Sequence, residues 1–362
     1  MENVKYSDTF REYKIPTNEI QHEIDKMLMS EGIGPRFSTH AALSCSLIHE
    51  PPTSFLEYFN QFYENSDIII HDSPFMLKYD IYFGLKKKPR IYNSHNHESE
   101  FAKHVWYGKR SHEYVNYVTQ LEEILIKNAA MVFATSEEDR ESFLKAFSVD
   151  NHKIRLSPNG INPEEWHKRL TLTNPKVTVF FIGSMHEPNI EIVKFIVYQL
   201  AEKCEHINFI IAGQCGIGFS KINIPNIKIL GEIDDKQKLK LFSEVDIAIN
   251  PAFFGTGTKI KTLEFLSAGI PLISTDIGVK GINLAKGTHY FHATHENFAL
   301  TLNEVSRDKK RLESVAYDGQ KYVNQHYSWE GIAKMMKKQI DALYMGTPNE
   351  YNSFPLNNPT KK

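Results

Sequence analysis

Lys259 and Glu264 stand five residues apart behind two glycines, in the run from Pro251 to Pro271 that reads Pro-Ala-Phe-Phe-Gly-Thr-Gly-Thr-Lys-Ile-Lys-Thr-Leu-Glu-Phe-Leu-Ser-Ala-Gly-Ile-Pro. An ammonium group beside a helix start, where backbone N–H groups and the positive end of the dipole gather, suits a diphosphate. A carboxylate inside the same helix has two oxygens able to accept from both hydroxyls of a ribose. Together the two side chains offer partners for both ends of a nucleotide. That chemistry needs a strand, a tight turn and a helix in order, and the run supplies them. Asp246 to Asn250 reads as a buried strand, and Gly255 and Gly257 permit a turn with positive φ. Thr258 is placed to cap a helix whose apolar face is Ile260, Leu263, Leu266 and Ser267, and Gly269 with Pro271 ends it.

Other candidates are weaker. His95-Asn96-His97 has the spacing of a metal pair on a strand, where alternate residues point the same way. No second cluster of His and Asp completes such a site. Gly213-Gln214-Cys215-Gly216-Ile217-Gly218 has the wrong glycine order for a dinucleotide loop, and residues 255–259 lack the Gly-Lys-Ser/Thr of a Walker loop. Lys86, Lys87, Lys88 and Arg90 form a basic run, read either as a solvated loop or as a contact for anionic lipid or a phosphorylated acceptor.

A chain of 362 residues fits two domains at roughly 150 residues each. Its 42 basic and 44 acidic residues lack the basic footprint of bulk nucleic-acid binding. No apolar run reaches the ~20 residues that span a bilayer, and the first ten residues lack a signal-peptide pattern. Cys45, Cys204 and Cys215 are odd in number and scattered, which suits free thiols in a reducing cytosol. The expected location is therefore cytoplasmic, with peripheral contact at the inner membrane surface as a further option.

Apolar runs alternate with helical periodicity, the pattern of parallel α/β sheets. In the first half strands are expected at 67–71, 90–94, 130–135 and 153–157, with helices at 18–30, 54–65, 111–128 and 137–147, the last opened by a capping box from Ser136 to Asp139. In the second half strands are expected at 177–183, 207–213, 227–231, 246–250, 271–275 and 289–292. A hinge runs from Pro158 to Pro175, and the tail from Gly346 has a disordered composition.

In this order and spacing the chain resembles a GT-B-fold retaining glycosyltransferase of family four, the glycosyl transferases group 1. The resemblance rests on His95-Asn96-His97-Glu98, Ala134-Thr135-Ser136-Glu137-Glu138-Asp139, Pro158-Asn159-Gly160-Ile161-Asn162 and Phe181-Ile182-Gly183-Ser184-Met185-His186-Glu187-Pro188-Asn189. Gly231-Glu232-Ile233-Asp234-Asp235, the glycine–threonine–Glu264 unit and Tyr327-Ser328-Trp329-Glu330 complete it. It implies an α/β fold of two Rossmann-like domains with parallel sheets facing a cleft. The expected divisions are an acceptor-side domain over 1–165, a nucleotide-sugar domain over 166–326, a closing helix over 327–345 that packs back on the first domain, and a tail over 346–362.

The resemblance also implies roles. Glu264 matches the glutamate that contacts the donor ribose, His95 a histidine near the transferred sugar, and Ile233 a residue packed on the nucleobase. Gly183 and Ser184 stand where the first strand of the second domain meets the donor, and Gly255, Thr256, Gly257, Thr258 and Lys259 would hold the diphosphate. The competing readings are a solvated glutamate and lysine, a capping or surface histidine, and a core isoleucine. Two departures stand out. Thr256 replaces the family's first glutamate, as in a subgroup with a Gly-x-Gly-Thr-Lys/Arg turn, and Ser184 replaces a phosphate-binding Arg. With no Asp-x-Asp pair to hold a metal, the leaving charge falls to amides and Lys259.

The leading expectation is a metal-independent hexosyltransferase with no cofactor. It would take a nucleotide diphosphate sugar as donor and a glycan or lipid-linked acceptor, with no nucleic-acid partner. The alternative is a non-catalytic donor-binding or scaffold subunit completed by a partner protein. The opening of the chain sharpens that alternative. Residues before Asp67 offer no convincing buried strand, so either Val4 to Ile15 supplies an irregular one or the start lies upstream.

Overall fold

The computed structural model describes residues 2–33, 39–48, 53–83, 88–166, 176–255 and 257–346. Thr256, Lys86, Lys87, the linker residues 167–175 and the tail beyond 346 lie outside them. The chain divides into two compact units. The first runs up to Ala134 and adds Ser142–Arg155 and the chain from Met336 onward; the second comprises Thr135–Glu141 and Leu156–Met335.

In the first unit, strands β1 (Glu2–Lys5) and β2 (Arg11–Lys14) form an antiparallel hairpin with a sheet of its own. The expected irregular strand over Val4 to Ile15 is thus a hairpin. Its residues are mostly exposed, so it lacks the apolar run that a strand buried on both faces needs. Strands β3 (Ile69–His71), β4 (Arg90–Asn93), β5 (Met131–Ala134) and β6 (Ile154–Leu156) lie side by side in that order. Each sits within a residue or two of its expected bounds. Period-two alternation sends Val132 and Ala134 to one face, with Leu125, Phe143 and Phe147, and Met131 and Phe133 to the other. On that second face Met336, Ile340 and Leu343 of the helix Trp329–Gly346 pack against Ile91, Met131 and Phe133.

The helix Glu137–Phe147 opens as expected, but the box closes differently. Ser136 Oγ accepts from the Asp139 N–H at 3.0 Å, while the Asp139 carboxylate takes hydroxyls instead of a backbone N–H. Its Oδ2 accepts from Ser136 Oγ at 2.8 Å and from Thr135 Oγ1 at 2.6 Å. Of the basic run, Lys88 and Arg90 lie among the described residues, and for these two the expectation changes. Lys88 is 8% exposed and its ammonium donates to the carbonyls of Tyr63 and Ser66. Arg90 pairs with the buried Asp80, Nη2 to Oδ1 at 2.9 Å. Both cations tie the strand start to its neighbours, so neither is a solvated or lipid-facing charge.

The second unit carries β7 (Thr178–Ile182), β8 (Asn208–Ala212), β9 (Ile227–Gly231), β10 (Ile247–Asn250), β11 (Leu272–Ser274) and β12 (Phe291–His292). They form a parallel sheet in the order β12-β11-β10-β7-β8-β9. Val179 and Phe181 enter the core on one face, Phe180 and Ile182 that on the other. Phe180 meets Phe242 and Phe265 edge-on at 5.8 and 6.0 Å. The strand order reverses between β7 and β10. At such a reversal the flanking connections leave to opposite sides and open a crevice at the carboxyl ends of the strands, where ligands bind in α/β sheets. No helix among the described residues is long and apolar enough to cross a membrane.

Candidate functional site

The glycine turn and its helix follow β10, at that reversal. Gly255 adopts φ 129° and Gly257 φ 71°, backbone that a side chain would strain. A Cβ on Gly255 would come within 3.0 Å of Lys259 Nζ, so the ammonium lies folded over the turn. The helix Ile260–Ser267 ends in a Schellman turn, with the Gly269 N–H on Leu266 O and the Ile270 N–H on Phe265 O, both at 2.9 Å. A buried polar network fixes where it starts. Asn250 Nδ2 donates to Gly278 O at 2.8 Å and to Thr262 Oγ1 at 3.1 Å, and Thr262 Oγ1 donates to Gly278 O at 2.7 Å. The ends of β10 and β11 and the first helical turn are thereby held as one piece.

Two local expectations change. Lys259, not Thr258, takes the N-cap position, and no side chain caps the helix. Thr258 Oγ1 is buried with no hydrogen-bond partner among the described residues, lying against Gly281. The Ile260 N–H turns back onto Thr258 O at 3.1 Å, so the helix start offers fewer unpaired N–H groups than the sequence implied. Ile260 is 48% exposed; the buried face is Thr262, Leu263, Phe265, Leu266 and Ser267. As the first residue of the helix, Ile260 has no preceding turn to cover it and stays exposed, although its spacing to Leu263 and Ser267 is that of one face.

What the structure adds is a cluster of cations. Lys261, two residues beyond Lys259, turns its ammonium toward β7, donating to Asn189 Oδ1 at 2.7 Å and lying 4.4 Å from the centre of the Phe181 ring. Asn189 is held in turn, its Nδ2 donating to Ser184 O at 3.1 Å and its side chain filling the space a Cβ on Gly183 would need. Gly183 thus serves as the seat of Asn189, and Ser184 contributes its carbonyl. Burial, reinforced by the charge of Lys280, pushes Lys259 down to about 8. Burial also pushes Lys261 down to about 8, with Lys259 acting the same way and Glu264 against it. His186 is lowered by burial and then by both lysines. The surroundings of Lys261 are an amide oxygen and a ring face, not a bonded carboxylate.

Lys-x-Lys in the first helical turn was the legible sign of Lys261. Lys280 and His186, from separate loops, had no local sign.

Glu264 is 17% exposed and bonds Lys238, Nζ to Oε1 at 2.8 Å. Lys238 projects from the helix Asp235–Glu244, which a capping box of Asp234 and Gln237 opens, and it lies 4.7 Å from the Trp166 ring centre. The glutamate is therefore neither solvated nor waiting alone for hydroxyls. Ile233 is half-buried against the core that contains Phe180 and Leu263. Gly213 opens a 3-10 turn over Gln214–Phe219, with no dinucleotide-binding helix start behind it. In the same unit a pocket of about 600 Å³ lies among Thr135–Glu138, Glu141, Pro158, Gly281–Asn283 and Tyr327. Tyr327 Oη accepts from the Asn283 N–H at 2.9 Å, and Gly281 backs directly on Thr258.

In the first unit the two histidines of His-x-His part company. His95 stays 60% exposed, with Nε2 3.9 Å from Asp72 Oδ1. His97 is buried, its Nδ1 2.7 Å from Ser142 Oγ and its ring against Phe143 and Phe147. The strand ends at Asn93, so both lie in a turn where strand alternation no longer applies. No group of three or more His, Cys, Asp or Glu able to hold a metal ion occurs among the described residues.

Behind this turn Glu122, fully buried, accepts from the Glu98 and Ser99 N–H groups and from Tyr92 Oη, each at 2.9 Å, and from Ser99 Oγ at 2.7 Å. Burial raises Glu122, and burial with the charge of Glu122 raises Glu98 to about 7.

Residues 176–308 match the family model described as Glycosyl transferases group 1, and residues 32–165 that described as Glycosyltransferase Family 4. An uncharacterized glycosyltransferase of Methanocaldococcus jannaschii is 21% identical over 237 residues, which cover 57% of this chain and 58% of that protein. Among solved structures, Anabaena HepE in complex with UDP-glucose superposes with a TM-score of 0.62 at 15% identity, over 81% of this chain and 84% of that one. Sucrose-phosphate synthase from Thermosynechococcus elongatus does so with 0.63 at 15%, over 83% and 82%.

Proposed function

From the premise that this chain is a protein of the GT-B glycosyltransferase fold, we propose that it moves a hexose from a nucleotide diphosphate sugar to a glycan or lipid hydroxyl. The reading is of a retaining transfer without a metal. The bond from the sugar's anomeric carbon to the diphosphate oxygen breaks, and a bond to the acceptor oxygen forms on the same face. The acceptor's proton passes to an oxygen of the departing diphosphate, leaving a nucleoside diphosphate and a glycoside.

One observation carries this reading: Lys259 and Lys261, with Lys280 acting on Lys259, gather at an uncapped helix start at the strand-order reversal of the sheet. Preorganised cations at a developing diphosphate charge stabilise its departure without reorganisation. Glu264 is assigned the ribose, giving up or sharing Lys238 when it binds. Ile233 is assigned the base, and His95 the transferred sugar. The hydroxyls and carboxylates of the pocket at Thr135–Glu138 suit a polyhydroxyl ligand. The proposed surroundings are cytoplasmic.

A thermal-shift series with UDP, GDP, ADP and their sugars tests the reading. Ligand at a hundredfold excess over Kd stabilises by about 2.7 kcal/mol, so one base should raise the melting temperature clearly. Glu264→Ala should remove most of that rise while the free protein still melts cooperatively. An unchanged rise contradicts the ribose role. Thr256, where the resembling family carries its first glutamate, favours a second reading as a donor-binding subunit. Incubation with labelled nucleotide sugars separates the two, since that reading expects binding with neither transfer nor hydrolysis.

A further inference from the structure

We infer that Glu122 is a positioning residue that sets the place of His95 by clamping both ends of the turn that carries it. The inference rests on the proposed role of His95 at the transferred sugar. Tyr92, in β4, and Glu98 with Ser99, at the start of the helix Glu98–Val105, stand on either side of residues 93–97. All three donate to the one carboxylate, through four hydrogen bonds between 2.7 and 2.9 Å.

Inside the turn the other side chains are committed. The Ser94 N–H donates to Phe133 O at 3.0 Å, and Ser94 Oγ donates to Asn96 O at 3.1 Å. His97 is packed against Phe143, with Nε2 3.6 Å from Glu122 Oε2. Asn93 Nδ2 donates to Asp72 Oδ1 at 2.8 Å, the oxygen that faces His95. Within residues 93–97 His95 is the one exposed side chain.

A surface serine or aspartate would cap this helix adequately. Glu122 instead reaches from the middle of the helix Ser111–Asn128 and joins three elements at a point with no solvent access. Burying a carboxylate is unfavourable unless its acceptors are filled, and these are. What the arrangement secures beyond capping is the distance from strand end to helix start, which is the placement of His95. Misplacing a reacting group by about 1 Å costs on the order of a hundredfold in rate.

The test is a double-mutant cycle on the full chain. Glu122→Gln keeps the shape but turns an amide NH2 toward groups that donate. Expected are a fall in kcat of about tenfold to a hundredfold and a KM for the nucleotide sugar within about twofold of wild type. In the His95→Ala background the same change should cause no further loss. Losses that multiply, or a changed KM with kcat intact, overturn the inference. If Glu122→Gln fails to fold, Tyr92→Phe removes one donor, leaves the carboxylate three partners, and enters the same cycle. Long-range proton–nitrogen NMR of the imidazoles supplies a readout independent of turnover. The His95 signals should shift or broaden in the variant while those of His292 stay in place. Unmoved His95 signals overturn the inference even in a chain that transfers no sugar. Failure of every nucleoside diphosphate to shift the wild-type melting temperature counts against the functional reading alone.

Discussion

Two helices in this chain begin just beyond the carboxyl end of a parallel strand, and they meet the same electrostatic demand in opposite ways. The helix Glu98–Val105 has its acceptor built in: Glu122 takes its first N–H groups, and Glu98 beside it holds its proton to about 7. The helix Ile260–Ser267 has no side-chain cap, and Lys259 and Lys261 stand at its N-cap and in its first turn, both with lowered proton affinity. A helix start whose N–H groups a buried carboxyl already fills is a structural joint. The uncapped start, with cations beside it, is the one proposed to receive the diphosphate.

Removing the central group of each should therefore have opposite consequences, and the larger effect is at the joint. Glu122→Ala strands four buried donor groups, the Glu98 and Ser99 N–H, Tyr92 Oη and Ser99 Oγ, at about 1–3 kcal/mol each, so chemical denaturation should show at least ~4 kcal/mol of lost stability. A loss under ~1 kcal/mol erases the contrast. Lys261→Met removes a buried charge and keeps its volume, so the melting temperature should hold or rise. Its affinity for UDP, or whichever diphosphate the wild type binds, should fall about tenfold to a hundredfold, as for one charge-assisted hydrogen bond. A destabilised variant with intact affinity would reverse the assignment of the two helices.

Glu98→Gln acts only as a change in pH slope, and its sign follows from linkage. Glu98 keeps its proton to about 7 in the fold against 4.5 for an ordinary glutamate. Its contribution to stability is full below about pH 4.5, is lost as pH rises toward 7, and is flat above. The amide variant should lack that slope and exceed wild type most clearly above pH 7. Melting curves from pH 5 to 8.5 with parallel profiles for the two proteins would contradict it.

The framework of both joints was legible because local patterns specify it. The helices Ser111–Asn128 and Glu137–Phe147 and the strand Ile227–Gly231 keep their expected bounds, and the other parallel strands are trimmed by a residue or two. The glycine turn was legible because only glycine takes φ 129° and 71° without strain. Pairing between distant elements was not. Lys238 reaches Glu264 from another helix, Glu122 reaches the His95 turn from 24 residues beyond Glu98, and Lys88 with Arg90 turn inward to partners in earlier segments. Charge runs and single carboxylates carry no period, so their partners emerge only when tertiary structure joins them.

Calorimetric titration of UDP across pH 6.5 to 9.5, in two buffers of different ionisation enthalpy, tests the cation-lined mouth most directly. A diphosphate favours the charged lysines, and in the unliganded chain burial brings both lysines down to about 8. Affinity should be greatest below that pH and fall as pH rises through it, with net proton uptake on binding near pH 8 that shrinks in Lys261→Met. Affinity that is level through pH 8 without proton uptake, or uridine binding as tightly as UDP, would contradict the account.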